Sequence, residues 1–84
     1  MEEFNRLINA QLKTMERLLY VQSEIERYQD IEKQFLTNQE EDKAVAVQEE
    51  IQHRKMELKT IHETFERQTE DVIRCYQQEQ AAVQ

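Results

Sequence analysis

The chain has 84 residues, with no Gly, Pro or Trp, and its 18 acids against 11 bases give a formal net charge of −7. The length limits it to one small domain, the missing turn residues argue against hairpin-rich β folds, and Gly-rich phosphate loops and Gly-containing nucleophile elbows are excluded. The negative charge repels phosphate backbones and anionic lipid, so nucleic acid and membranes are poor partners. Leu18-Leu19-Tyr20-Val21 is the longest uninterrupted apolar run, far too short for a membrane span. Met1-Glu2-Glu3 is followed by no apolar stretch of the kind a secretory leader carries. Cys75 is the only cysteine, so no internal disulfide can form, and a reducing, cytoplasmic setting is expected.

The first predicted helix covers residues 2–37. Phe4, Leu7, Leu18, Val21, Ile25, Tyr28 and Phe35 recur in steps of three and four, interrupted by Gln11, Thr14 and Glu32. Next comes a predicted turn over 38–41, where the apolar stripe lapses between Leu36 and Ala44. Asn38 is positioned to cap a following helix, with Glu41 three residues on, and the acids Glu40, Glu41 and Asp42 suit a helix N-terminus. Lys33 suits the end of the preceding helix. The second helix is expected over 40–80, with Ala44, Val47, Ile51, Leu58, Ile61, Phe65, Val72, Cys75 and Ala82 on its stripe and Arg54, Gln68 and Glu79 interrupting it. The Gln-rich tail from Tyr76 either extends this helix or frays, with fraying expected past residue 80. Acid–base pairs four apart (Glu2/Arg6, Glu50/Arg54, Glu63/Arg67, Glu70/Arg74) and three apart (Glu24/Arg27, Asp30/Lys33) support both helices.

Two heptad stripes predict an all-α fold, a single domain over 1–84 built as an antiparallel, coiled-coil-like two-helix hairpin. The competing architecture is one unbroken helix, ~125 Å long against ~55 Å for the hairpin. The acidic cluster, Asn38 and the polar layers favour the hairpin. Its facing residues should sum to about 79, with Gln11 meeting Gln68 so that two amides satisfy each other and pin the register. Arg54, opposite Ile25, is expected to reach outward to solvent.

One seam does not use all the large apolar residues. Ile8, Leu12, Met15 and Leu19 form a second stripe beside the first, and Ile73, Tyr76 and Val83 lie off the seam on the other helix. The plainer reading is that they widen the contact between the two helices. The sharper one is a docking face for a second copy, giving a four-helix homodimer, or for a helix of another, basic protein.

Chemistry finds less support. Glu50-x-x-His53 matches half of a carboxylate-bridged di-metal signature, but no second Glu-x-x-His exists and both side chains should face outward. Cys75 reads as a small core residue, not a reactive thiol. A two-helix surface offers no water-excluded cleft in which a carboxylate could be tuned. The sequence therefore predicts no enzyme, no cofactor, no metal and no small-molecule substrate.

The runs Met1-Glu2-Glu3-Phe4-Asn5-Arg6-Leu7-Ile8 and Leu12-Lys13-Thr14-Met15-Glu16-Arg17-Leu18-Leu19, with the length and acidity, resemble the YgaB-like family of small bacterial proteins. That resemblance implies a bacterial cytoplasmic protein and carries no site residues. The expected role is a non-enzymatic protein–protein interaction module, a scaffold, adaptor or regulator that acts through a helix face. The alternative is a small regulator that associates with nucleic acid through bases on one face.

Overall fold

The computed structural model describes the backbone of residues 1–83 and the side chains of 1–81. The seam position Ala82 and the off-seam Val83 thus have side chains outside the described residues. Helix α1 runs Glu2–Thr37 and helix α2 runs Glu41–Val83. Nothing within either span breaks a helix, since the chain lacks Gly and Pro. Both first turns carry acids, Glu2 and Glu3 in α1 and Glu41 and Asp42 in α2, where they oppose the positive end of the helix dipole. The helices pack antiparallel into a rod 67 Å long and about 14 Å across. That length is one helix of α2's size and excludes the single extended rod. The α2 helix continues through the Gln-rich segment to Val83 rather than fraying near residue 80.

The turn is tighter than expected, and Asn38 has a different role in it. Asn38 is the C-cap of α1, not an N-cap for α2: its N–H donates to the Gln34 carbonyl at 3.0 Å. Gln39 follows with φ 61°, the left-handed conformation that ends many helices. Its N–H donates to the Leu36 carbonyl at 3.1 Å and the Glu40 N–H to the Phe35 carbonyl at 2.8 Å, the paired bonds of a Schellman motif. Glu40 then precedes α2, its carbonyl accepting from the Ala44 N–H at 3.1 Å. Lys43 spans the turn, 3.1 Å from a Glu40 carboxylate oxygen and 5.8 Å from the Phe35 ring centroid. Lys33 lies too early to help, and the last turn of α1 holds no base.

The core follows the heptad stripes but is concentrated in the middle of the rod. Val21, Ile25 and Ile51 form its buried centre, with Tyr28, Val47, Leu58 and Ile61 packed around it. Leu18, Ala44 and Cys75 are buried as well, so Cys75 is the small seam residue that its position predicts. Towards the termini the seam thins: Phe4, Leu7, Phe65 and Val72 are only half-buried.

Polar residues cross the interface close to the predicted register, though not in the predicted pairs. Gln11 and Gln68 do not bond each other. The Gln11 side-chain amide donates to Thr69 Oγ1 at 2.5 Å and to the Phe65 carbonyl at 3.5 Å. The Gln68 amide donates to the Ala10 carbonyl at 3.4 Å, and its Oε1 is buried without a partner. Long side chains reach past the residue directly opposite, so each amide finds a helix backbone or a threonine first.

Arg54 departs further from expectation. It does not reach into solvent: it stays partly buried against three carboxylates, with Glu50 at 3.2 Å, Glu57 at 3.3 Å and the buried Glu24 of α1 at 3.8 Å. The three carboxylates hold the guanidinium charge at the seam, although its Nε is buried without a hydrogen-bond partner. The exposed pairs also rearrange. Glu50–Arg54 forms four apart as expected, but Arg6 takes Glu3 at 2.6 Å and Arg74 takes Asp71 at 3.2 Å, both three apart.

Candidate docking face

Two helices laid side by side leave two grooves, and here they differ in chemistry. On α1, Met15 steps to one side of the seam residues Thr14 and Leu18, while Lys13 and Arg17 step to the other. The first side is a shallow depression of about 150 Å³ lined by Ile8, Gln11, Leu12, Met15 and Phe65. Phe65 and Tyr76 are eleven residues apart, close to three full turns, so they share a face of α2. The Tyr76 ring also meets Phe4 of α1, centroids 6.1 Å apart and planes tilted by 50°. Ile73 lies one turn from Tyr76 and from Thr69, the residue that holds Gln11.

This brings the two off-seam stripes to the same side of the hairpin, at the end that carries the termini. They do not disappear into the helix–helix contact. Leu12, Leu19, Ile73 and Tyr76 each leave half or more of their surface exposed, Met15 is 38 % exposed, and Ile8 is half-buried at the floor. Gln11, expected as a register element, forms part of the same wall. Gln68 faces the seam and takes no part in it.

The opposite groove is charged and largely paired internally, Lys13 being the exception among the described ion pairs. Near the middle it is lined by Lys13, Thr14, Arg17, Thr60, Ile61 and Thr64. Nearer the termini, Glu3, Arg6, Asp71, Arg74 and Gln78 line it. Arg17 reaches across to Glu57. The Arg17 hydrogen bond, helped by the Arg17 and Arg54 charges and opposed by partial desolvation, holds the Glu57 carboxyl below its usual range. The Arg6 hydrogen bond lowers Glu3 in the same way. Arg54 is held above its ordinary value, first by the Tyr28 hydroxyl and then by Glu24, Glu57 and Glu50, against some desolvation.

Two features escaped the sequence reading. One is the Glu24–Arg54–Glu57–Arg17 network, whose signal was an arginine on an otherwise apolar stripe. The other is an outward face of α2 with Val45 and Met56 exposed, interleaved with Glu49, Gln52 and His53. Its two large apolar residues are also eleven apart, with Ala46 beside Val45 and polar Glu49, Gln52 and His53 between them and Met56, so it forms no continuous apolar strip. His53 lies exposed there, and Glu50 is engaged by Arg54 instead. Among the described residues no group of three or more His, Cys, Asp or Glu is placed to hold a metal ion. No described helix is long and apolar enough to cross a membrane.

Comparison with known proteins adds a family and a relative. The family model described as YgaB-like protein matches residues 3–79. The chain is similar to the uncharacterized protein YgaB of Bacillus subtilis (strain 168), 38 % identical over 76 residues, which cover 90 % of this chain and 67 % of that protein. No solved structure matches.

Proposed function

This chain belongs to the YgaB-like family, and we propose that it is a non-enzymatic, cytoplasmic protein–protein interaction module that acts by helix-face docking. Leu12, Met15 and Leu19 of α1, with Ile73 and Tyr76 of α2, provide the contact, and Ile8 provides its floor. The observation that carries this reading is their exposure on one continuous side of an otherwise well-packed hairpin. Solvated apolar side chains scattered singly need no explanation, but a strip two helices wide is where a third element gains most from burial.

A second copy or another helical protein would cover this strip, the former giving a four-helix arrangement. The net charge of −7 favours a protein partner over the phosphate backbone of a nucleic acid.

The test is Leu12→Glu combined with Leu19→Glu. Both positions are solvated in the hairpin, so helicity and thermal midpoint should stay near those of the unaltered chain. Complex formation, with itself or with a partner helix, should be lost. Unchanged mass by light scattering together with unchanged binding of partner helices would remove the docking role.

A further inference from the structure

Resting on the docking reading, we infer that the occupant of the apolar groove is an amphipathic α-helix of another protein that carries Lys or Arg beside its apolar stripe, and not a second copy of this chain. The argument is the rim. On a helix, the neighbours of a residue lie three, four and seven positions away. Around Ile8, Leu12, Met15, Leu19, Ile73 and Tyr76, those positions hold the acids Glu16, Glu26, Glu66, Glu70 and Glu79 and no Lys or Arg.

Glu79 is 3.0 Å from the Met1 ammonium. The other four are exposed and make no ion pair among the described residues. Two of the neighbouring bases are directed away from them, while Lys13, Lys59 and Arg67, three to seven residues from Glu16, Glu66 and Glu70, make no ion pair with them among the described residues. Arg74, four residues from Glu70, turns to Asp71 on the opposite groove, and Arg17, next to Glu16, crosses to Glu57. The fold therefore pairs the arginines of one groove with acids and leaves unpaired carboxylates along the other.

A second copy docked face to face brings two such acidic rims together, on chains that each carry −7. Like charges across an interface oppose association and select against that partner. A helix with basic flanks meets the same rim with opposite charge, while its apolar stripe covers Leu12, Met15 and Leu19.

The probes are two synthetic amphipathic peptides of about 18 residues, long enough for a helix, with the same leucine stripe and either Lys or Glu on the flanks. Binding to the intact chain is measured by fluorescence anisotropy and its oligomeric state by sedimentation. The Lys-flanked peptide should bind. Leu12→Ser with Leu19→Ser should weaken it about tenfold. Glu16→Gln, Glu66→Gln and Glu70→Gln together should do the same by about tenfold. Glu41→Gln, Asp42→Asn and Glu49→Gln change the net charge equally but lie away from the groove, and should leave affinity within about twofold.

Equal weakening by the remote set, or equal binding of the Glu-flanked peptide, would overturn the rim argument. A dimer of the unaltered chain that Leu12→Ser and Leu19→Ser split would give the groove to a second copy; docking would stand and this occupant would not. A monomer that binds neither peptide would sink the occupant and the docking reading together.

Discussion

The rod has a tight end and a loose end, built on the same heptad pattern. From Leu18 to the turn, α1 packs against α2 through Val21, Ile25 and Ile51, all buried, and the Arg54 cluster shields one side. Towards the termini the seam residues other than Cys75 are half-buried, amides cross between the helices, and Leu12, Leu19, Ile73 and Tyr76 lie in solvent. The difference shows that a heptad stripe decides which side of a helix faces its neighbour but not how completely it is covered. Depth depends on what sits next to the stripe. Near the middle the flanks are long charged side chains that fold over the seam. Near the termini they are more apolar residues, which two helices alone cannot cover.

Core truncation should separate the two ends most. Ile51→Ala empties a site that is 1 % exposed, at a cost of about 2–5 kcal/mol. Val72→Ala in the half-buried region should cost less than half as much, because water already reaches that site and the cavity can collapse. Urea unfolding followed by circular dichroism measures both, and equal losses would erase the distinction.

At the turn, Gln39 adopts φ 61° in a chain that has no Gly. A side chain with a Cβ is strained there, so Gln39→Gly should stabilise the hairpin by about 1 kcal/mol. Docking at the far end should be unaffected, and a gain at both ends would mean that the two are coupled.

The smallest effect concerns pH, at the junction of the two ends. The Glu57 carboxyl is held below its ordinary value of 4.5, first by Arg17. A carboxyl whose folded pKa is depressed contributes stability in full above its unfolded value and loses it as pH falls through the folded one. The unaltered chain should therefore be slightly more stable than Glu57→Gln at pH 7. That advantage should shrink below about 4.5 and vanish under the lowered folded value. Parallel melting curves from pH 7 to pH 3 give the comparison. An advantage that grows on acidification would put the Arg17 contact out of the folded state.

Much of this architecture was legible in the residues. The positions of Val21, Ile25, Ile51 and Cys75 on the stripes announce their burial, and the lapse between Leu36 and Ala44 locates the turn. The surplus stripe of Leu12, Met15 and Leu19 was visible for the same reason, since periodicity reports direction. The role of Asn38 was misread because its side chain suits a helix start as well as a helix end, and only the path of the backbone chooses between them. The partners of Arg54 and of Gln11 were equally out of reach. A side chain with several rotatable bonds can meet any polar group within its span, and which one it meets depends on the opposing helix.

The sequence alone determined that there are two helices, where the chain turns, and which residues face inward, because each follows from local propensity and a repeat of three and four. Tertiary structure decided that Gln39 takes the left-handed position. It also decided that Arg54 stays at the seam among carboxylates, and that one groove pairs its arginines while the other keeps unpaired acids beside an apolar strip. Those outcomes depend on distances between groups far apart in the chain, and no local pattern encodes a distance that packing has yet to set.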